Sequence, residues 1–289
     1  MNLLAAWEQC RYLLLDRVAA RSSRGSNAYT HLVARVEEVL QPDRRRVATR
    51  RIAQALQIKE EEARGIYRDC LVSEAREEAD SARLRLAGVP IDEAVVADRK
   101  TTSVSGPCIF ISMHWGSPML AFLYLRSSLG LPVRLIGRPL DEDNPLPPAR
   151  KAWGRQKVAW MEAVSGSPFI PDDGRGALEA RHELLEGRSI FASIDVPATN
   201  GQRSQVIDLF GEQIVVASGL LRLAALTQVP LVPVLGHSKG HRIHVQQDTP
   251  IPAGPEEELA EAVGQWIQKT LRRQPGEWWL WPFLSVENP

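Results

Sequence analysis

A short apolar run that ends in a histidine constrains the fold of this chain more than any other segment. Residues 107–119 read Pro-Cys-Ile-Phe-Ile-Ser-Met-His-Trp-Gly-Ser-Pro-Met, and a helical pattern continues to residue 129. A continuous apolar run is typical of a strand buried on both faces, so we predict a strand at residues 108–112. A polar side chain just after such a strand lies where open α/β sheets bind ligands. His114 is therefore placed for acid–base chemistry, the alternative being a core histidine with a satisfied hydrogen bond.

After residue 90 the sequence alternates between strand and helix patterns. The predicted strands are residues 108–112, 133–136, 167–170, 189–194, 206–209, 231–235 and 243–246. The predicted helices are residues 116–129, 145–164, 174–185, 217–227 and 255–272. This alternation predicts an α/β fold with a mixed, mostly parallel central sheet flanked by helices.

The residues before 90 show only helical patterns. Apolar stripes recur at helical spacing, and a long charged helix is predicted at residues 59–86, ending at residues 88–90. We therefore expect an N-terminal helical region at residues 1–90 and an α/β domain at residues 91–289, together forming one compact unit. The basic run at residues 44–51 is interpreted as a solvated helix face, with binding of phosphate or of a carrier protein as the alternative.

Composition narrows the classes of function. The chain has 289 residues with 35 basic and 35 acidic side chains, a balance that argues against a general nucleic-acid binder. Cys10, Cys70 and Cys108 have no paired spacing, which indicates a reducing compartment and no zinc site. Cys108 is expected to be a small buried hydrophobe rather than a nucleophile.

The first twenty residues do not form a signal peptide or a membrane span. Charged residues interrupt this stretch, so it cannot cross a bilayer as a helix. Its apolar face is expected to pack on the rest of the protein, with docking to a membrane as the alternative. These features predict a cytoplasmic protein with at most peripheral contact to the inner membrane.

A set of motifs in a fixed order points to a known family. These motifs are Gly137-Arg138-Pro139, Asn144-Pro145, Arg155, Ile170-Pro171, Leu185-Glu186-Gly187, Asp195, Ile207-Asp208-Leu209-Phe210-Gly211, Ala224-Ala225, the run at residues 229–233 and the run at residues 275–281. In order and spacing the chain resembles the lipid A lauroyl/myristoyl acyltransferases, a branch of the lysophospholipid acyltransferase-like superfamily. The resemblance extends from about residue 50 to residue 281.

The resemblance implies an acyltransferase with His114 as its general base. In that family a glutamate or aspartate follows the histidine after four residues, and here that position holds Met119. A thioether accepts hydrogen bonds only weakly and carries no charge, so it cannot stabilise an imidazolium. Something else must then orient His114: Ser117, a backbone carbonyl, or an acid such as Asp195 from another strand.

The resemblance also implies a donor and a set of binding residues. The donor would be an acyl thioester on acyl carrier protein or coenzyme A, and no cofactor is expected. The acceptor would be a small molecule or a lipid, and the backbone amides at residues 115–117 would bind the oxyanion. The candidate substrate-binding residues are Ser112, Trp115, Gly116, Ser117, Met119, Arg138, Asn144, Arg155, Asp195, Arg203, Phe210 and Gly211.

Several of these residues also have an interpretation that requires no substrate. Arg138 and Arg155 suit an anion, or else form surface ion pairs with the nearby acids at residues 141–143. Asp195 is expected to order its own loop, with contact to His114 as the alternative if the two strand ends are adjacent. Arg203 is a further candidate for an anion, and Phe210-Gly211 is either a turn that closes the site or simple packing.

Two further groups of residues, three histidines and three tryptophans, lie outside the candidate substrate-binding set. His237, His241 and His244 flank a predicted hairpin turn, and we expect them to be exposed rather than to bind zinc. Trp278, Trp279 and Trp281 are expected to be core and interface anchors, with an aromatic wall for a ligand as the alternative.

The sequence thus predicts an acyltransferase for lipid biosynthesis or a related pathway. His114 would take the proton of an amine or hydroxyl acceptor as it attacks the thioester. An unassisted histidine is easier to reconcile with an amine, which is the better nucleophile, than with a hydroxyl. The alternative is a non-catalytic accessory protein of the same fold that binds an acyl chain or a carrier protein.

Overall fold

Nine strands are present in the computed structural model, which describes residues 3–17, 22–88, 90–97, 106–198, 203–239 and 242–283. They are β1 (Val95–Ala97), β2 (Ile109–Ser112), β3 (Val133–Gly137), β4 (Ile170–Pro171), β5 (Ser189–Ser193), β6 (Ser204–Leu209), β7 (Glu212–Ala217), β8 (Leu231–Lys239) and β9 (Arg242–Gln247). Seven of them form one sheet in the order β1-β9-β8-β2-β5-β3-β4, and β6 pairs with β7 in a separate hairpin.

The direction of the strands confirms the predicted mixed, mostly parallel sheet. Strands β8, β2, β5, β3 and β4 run parallel to one another. The hairpin between β8 and β9 is antiparallel, and β1 adds to the edge parallel to β9. The carboxyl ends of β2 and β5 therefore meet at one edge near the middle of the sheet, where a doubly wound sheet offers a ligand site.

Ten α-helices surround the sheet within the described residues. They are α1 (Leu3–Arg17), α2 (Ser23–Leu40), α3 (Pro42–Leu56), α4 (Glu60–Ala87), α5 (Ile91–Ala94), α6 (Pro118–Leu123), α7 (Pro148–Ser165), α8 (Gly174–Leu185), α9 (Gly219–Thr227) and α10 (Glu256–Arg273). Helix α6 continues as a π-helical turn at Tyr124–Ser128, and short 3₁₀ turns form at Pro275–Glu277 and Trp281–Phe283. None of the described helices is both long and apolar enough to cross a membrane.

The central strands are buried on both faces because their side chains alternate between two cores. Ile109 and Ile111 face one core, which also contains residues of α3, α4, α8, α9 and α10. Phe110 faces the other core, together with residues of α5, α6 and α7. A strand covered on both sides needs apolar side chains at every position, which explains the continuous run that predicted β2.

The N-terminal helices share a core with the α/β part. Ile52 of α3 and Tyr67 of α4 belong to the same buried cluster as Ile111 of the sheet. A smaller cluster joins α1, α2, α4 and α7 through Tyr12, Tyr29 and other side chains. The apolar core therefore runs across residue 90, the boundary that the sequence suggested between two regions.

The strand predictions differ from the structure mainly at the edges. Strand β4 is only two residues long, because Pro168 and Pro171 lack the N–H that a longer ladder needs. Strands β1 and β7 lie outside the predicted set. β1 has only three residues, and β7 is one half of a hairpin that buries Ile214 and Val216 on one face and leaves the other face more exposed.

Candidate active site

The ends of two neighbouring parallel strands place His114 beside Asp195. The register pairs Ser112 of β2 with Ser193 of β5, and each of the two side chains follows two residues later. Ile194 N also donates to Ser112 O at 2.9 Å, which carries the pairing one step past the strands. We expected Asp195 to order its own loop, with contact to His114 as the alternative. The structure shows the alternative, because β2 and β5 are neighbours and bring the two side chains together.

Asp195 accepts three hydrogen bonds. Its Oδ1 lies 2.9 Å from His114 Nδ1. Its Oδ2 accepts from the backbone N–H of His114 at 2.7 Å and from Trp278 Nε1 at 2.7 Å. The Asp195 side chain is 3% exposed, whereas that of His114 is 34% exposed. Because Nδ1 faces the carboxylate, the remaining ring nitrogen, Nε2, is the one available for proton transfer.

The surroundings of His114 favour its charged form. Burial of the ring lowers the pKa of His114, but the Asp195 carboxylate and its hydrogen bond raise it by more, with further help from Glu74 and Glu77. The net effect is a pKa above the ordinary value of 6.5. A base whose pKa lies near neutral pH is well suited to accept a proton in a transition state.

The acidic partner of His114 is Asp195, which follows β5, and not residue 119, where the resemblance to the family led us to expect one. Met119 is partly buried and packs against the core on the face of the sheet that contains Phe110. Because Asp195 contacts Nδ1, His114 does have a carboxylate partner. The physical reason for preferring an amine acceptor over a hydroxyl acceptor is thus removed.

The turn after His114 is fixed by backbone hydrogen bonds. Trp115 N donates to Met113 O at 2.7 Å, Gly116 N to Glu277 O at 2.9 Å, and Ser117 N to Gly236 O. All three amides are occupied, so they are not free to bind an oxyanion as expected from the sequence. Helix α6 begins only at Pro118.

Gly116 is required by the shape of this turn. Its φ is +58°, in the left-handed region, and a Cβ on it would lie 2.2 Å from the carbonyl oxygen of Gly236. A side chain there would be strained and would collide with the backbone of β8.

The segment at residues 274–281 closes over the turn from the opposite side. Trp279 N donates to His114 O at 2.9 Å, and Trp115 pairs with Trp278 in an antiparallel bridge. The Trp115 Nε1 atom donates to Gln274 O at 3.2 Å. Trp278 and Trp281 of this segment are core anchors as predicted, with Trp278 1% exposed, whereas Trp279 is only half-buried. Trp278 also contacts Asp195, the acid of the His114–Asp195 dyad.

The serines near the dyad are buried. Ser112 ends β2, and its hydroxyl has no hydrogen-bond partner among the described residues. Ser117 precedes α6, and its hydroxyl lies 3.5 Å from the hydroxyl of Ser238. Neither contacts the His114 ring through a described hydrogen bond, so Asp195, rather than Ser117, orients the histidine.

The loop after β3 uses its polar residues internally. Asn144 donates from Nδ2 to Pro139 O at 2.8 Å and accepts from Leu146 N at 3.1 Å. Arg155 donates to Leu140 O at 2.9 Å. Arg138 lies 3.7 Å from the Asp172 carboxylate, a different acid from those expected. These contacts give the loop its shape, and substrate contact by the three residues stays a prediction.

The remaining predicted residues lie around the β6–β7 hairpin. Arg203 forms an exposed ion pair with Glu256 at 3.1 Å. Phe210 and Gly211 form the two-residue turn, both with positive φ. The Phe210 ring stacks on Trp281 with the ring centroids 6.2 Å apart. The structure therefore gives Phe210 a packing role at the edge of the site.

Two spaces lie near Trp278, and only the first of them touches the dyad, at Asp195. This first space, the dyad crevice, is narrow, with room for about one water molecule, and is lined by Asp195, Pro197, Ile207, Leu209, Ile214, Val215, Val216, Ile267, Trp278, Leu280 and Phe283. The hairpin groove has about 660 Å³ and shares Leu209, Ile214 and Trp278 with the crevice, with Arg51 and Trp281 among its other walls. An apolar space does lie next to the dyad, but its walls include Asp195 and not His114.

A network of buried charges lies behind His114. Glu74 pairs with Arg150 at 3.2 Å and with Arg44 at 3.4 Å, and Lys157 pairs with Glu77. Burial raises the pKa of Glu74, but Arg150 and Arg44 outweigh it and hold that pKa well below its ordinary value. Arg44 thus belongs to this network, which corrects the view of residues 44–51 as a wholly solvated face.

Arg11 is the centre of this network. It is fully buried, pairs with Glu37, and donates to Glu78 Oε2 at 2.7 Å. The hydroxyls of Tyr12 and Tyr29 also donate to Glu78. Helices α1, α2 and α4 are therefore held together by paired charges as well as by apolar packing.

The histidines of the last hairpin stack on each other. The rings of His237 and His244 have centroids 5.4 Å apart, and Trp115 packs edge-on against His237. His241 lies outside the described residues. Within the described part of the chain, no group of three or more His, Cys, Asp or Glu side chains is arranged to hold a metal ion.

The burial of Cys108 agrees with the sequence interpretation of that residue. Cys108 is 1% exposed, and burial raises the pKa of its thiol to about 11. Cys70 is buried and Cys10 is exposed, and all three are free thiols. A buried thiol with a raised pKa is a poor nucleophile, so Cys108 is a packing residue.

Comparison with known proteins identifies no family for this chain. No family model matches it, and no curated protein is significantly similar to it. The site therefore has to be interpreted from its own geometry.

Trp278 is the residue whose contact with the dyad the sequence did not reveal. Its position in a tryptophan-rich segment indicated burial, but no spacing in the sequence links residue 278 to residue 195. Only the sheet order, which brings the carboxyl end of β5 beneath this segment, shows the connection.

Proposed function

We propose that this protein is an acyltransferase that moves an acyl group from a thioester to an amine or hydroxyl acceptor. The observation that carries the proposal is the His114–Asp195 pair at the carboxyl ends of two central parallel strands. A buried carboxylate on Nδ1 fixes the tautomer of the ring and stabilises the imidazolium that forms when Nε2 accepts a proton.

The chemical step follows from this pair. Nε2 of His114 removes the proton from the acceptor as its oxygen or nitrogen attacks the thioester carbonyl. The carbon–sulfur bond then breaks, and the sulfur leaves as a thiol with the proton returned by His114. The donor is acyl carrier protein or coenzyme A carrying the acyl chain.

The dyad crevice together with the hairpin groove is the best candidate for the acyl chain, because the crevice alone has room for about one water molecule and the groove adjoins it at Leu209, Ile214 and Trp278. The crevice is the part next to the dyad. Its walls are mostly Ile, Leu and Val side chains, and it reaches the dyad at Asp195 and Trp278. A space of this kind suits a chain of methylene groups, each of which gains roughly 0.8 kcal/mol on burial. The resemblance to the lysophospholipid acyltransferase-like superfamily supports the same assignment.

The test is thiol release from acyl-coenzyme A thioesters of graded chain length, with matched amine and alcohol acceptors. Replacement of the general base in His114→Gln should abolish transfer without unfolding the protein. His182→Gln, at an exposed position of α8, is the matched control and should keep full activity. Equal turnover by both variants would exclude His114 as the base.

A second pair of variants tests the chain assignment. Ile214 lines both the crevice and the groove, so Ile214→Phe should reduce the space in both and shorten the preferred acyl chain. Val206→Phe places the same side chain at an exposed position of the hairpin and should leave the preference unchanged. An unchanged preference in Ile214→Phe would place the chain elsewhere.

A non-catalytic accessory protein is the second candidate. The observation that favours it is that the amides at residues 115–117 are already bonded and that the dyad crevice touches Asp195 rather than His114. Such a protein would bind an acyl thioester, measurable by calorimetry, and would release no thiol with any acceptor.

A further inference from the structure

We propose that Trp278 is a positioning residue whose indole N–H fixes the carboxylate of Asp195 so that its other oxygen faces His114. The proposal rests on the proposed function for its activity readout only. The contact itself is direct: Trp278 Nε1 donates to Asp195 Oδ2 at 2.7 Å, while Oδ1 lies 2.9 Å from His114 Nδ1.

The indole is held rigidly enough to do this. Trp278 is 1% exposed, and its ring packs edge-on against Trp281 with the centroids 4.9 Å apart. Its backbone pairs with Trp115 in the turn that follows His114. The direction of the N–H is therefore set by packing, and it is not free to follow a rotating carboxylate.

The bond restrains the one torsion that matters for the dyad. A carboxylate can rotate about its Cβ–Cγ bond, and rotation would move Oδ1 away from Nδ1. With Oδ2 held by both His114 N and Trp278 Nε1, that rotation breaks two bonds to a charged group. Without the indole N–H, only the backbone donor remains on Oδ2.

The bond therefore also affects the pKa of His114. Asp195 raises that pKa through its charge and through its hydrogen bond to the ring. Removal of the indole N–H should lower the pKa of His114, because Oδ1 is then free to move away from Nδ1. The other charged groups that face His114 are Glu74 and Glu77 of α4, with their partners Arg150 and Lys157, and the substitution touches none of these.

Two variants remove the N–H in different ways. Trp278→Phe removes it together with part of the ring. Incorporation of benzothienylalanine at residue 278 replaces the N–H by sulfur and keeps the shape of the side chain. The control is Trp266→Phe, which loses a comparable indole bond to a carboxylate outside the dyad, from Nε1 to Asp248 Oδ2 at 3.1 Å.

The readouts are kcat, KM and the titration of the His114 ring by NMR. Both changes at residue 278 should lower kcat about tenfold with little change in KM, as expected for the loss of one hydrogen bond to a charged group. Both should lower the pKa of His114, by roughly half a unit. Trp266→Phe should match the wild-type protein in both quantities.

The outcomes separate the two proposals. If the residue-278 variants keep the wild-type kcat and His114 titration, or if Trp266→Phe changes both equally, the positioning role is overturned. If no form of the protein releases thiol, the proposed function fails, but the NMR titration still decides whether Trp278 acts on the dyad. If Trp278→Phe unfolds, the benzothienylalanine protein, which preserves the packing, gives the answer.

Discussion

Replacement of Asp195 by asparagine tests the dyad most directly. An amide has the size of a carboxylate but only one acceptor oxygen. Two donors, His114 N and Trp278 Nε1, point at the Oδ2 position, and one group, His114 Nδ1, faces the Oδ1 position. In the Asp195→Asn variant the amide oxygen will therefore occupy the Oδ2 position, and the NH₂ group will face the ring.

This arrangement forces the wrong tautomer on the histidine. An NH₂ group opposite Nδ1 requires Nδ1 to accept, so the proton moves to Nε2, the atom that must act as base. In a serine-protease triad the same exchange lowers kcat by about 10⁴. We expect a loss of about 10³–10⁴ in thiol release for Asp195→Asn, together with a fall in the pKa of His114.

The stability of this variant should stay close to that of the wild-type protein at pH 8. Both bonds at the Oδ2 position are kept, whereas Asp195→Ala leaves the N–H groups of His114 and Trp278 without partners. Each buried unsatisfied donor destabilises by about 1–3 kcal/mol. Asp195→Ala should therefore lower the free energy of unfolding by about 3 kcal/mol more than Asp195→Asn, as measured by urea denaturation.

The pH dependence of the free energy of unfolding also tests the contact between His114 and Asp195. Because the folded-state pKa of His114 is raised above 6.5, its stabilising effect is fully present below that value and is lost as the pH rises through the folded pKa. The gap in stability between wild type and Asp195→Asn should thus be larger at pH 5.5 than at pH 8.5. Full activity in Asp195→Asn, or a gap that widens toward alkaline pH, would refute the reasoning.

Three further outcomes follow from other contacts. The rate of transfer should rise with pH and reach half its maximum above pH 6.5, because His114 acts only when neutral and its pKa is raised. Arg11→Met should lower the free energy of unfolding by about 3–5 kcal/mol, since it leaves buried carboxylates unpaired. Gly116→Ala should abolish activity, because the added Cβ would collide with Gly236 O. In Gly211→Ala no described atom lies within 4 Å of the added Cβ, so the free energy of unfolding should fall by only about 1 kcal/mol.

Each of these outcomes has a measurement that checks it. The pH–rate profile should be measured at saturating thioester, and a half-maximum below pH 6 would contradict the raised pKa. Urea denaturation of Arg11→Met should be compared with Arg46→Met, whose ion pair is exposed. Circular dichroism of Gly116→Ala and Gly211→Ala shows whether either loss comes from global unfolding, and equal effects at the two glycines would contradict the backbone collision.

The position of β2 and of His114 was predictable because it depends on local pattern. An apolar run buried on two faces has a recognisable composition, and the polar residue after it lies at the ligand edge of the sheet. The helices α8 and α10 were predicted almost to the residue for the same reason, since each has an amphipathic face and clear ends. The α/β architecture followed from the alternation of such segments.

The partner of His114 was not predictable, because it depends on strand order. β2 and β5 are separated by β3 and β4 along the chain yet are neighbours in the sheet. From the sequence we therefore interpreted Asp195 as a residue that orders its own loop. We also interpreted Met119 as a sign that His114 had lost its acidic partner. The same limit applies to Trp278, whose contact with Asp195 spans 83 positions in the sequence.

The late position of residues 274–281 has a consequence for synthesis of the chain. Trp115 bonds to a residue 159 positions further on, so the turn that carries His114 leaves the ribosome well before the segment that clamps it. At the usual rate of translation that interval is roughly 8–30 s. During it, β2 and β5 can pair, but Trp278 is not yet there to hold Asp195. The full set of hydrogen bonds to Asp195 can therefore form only after residue 278 has been synthesised.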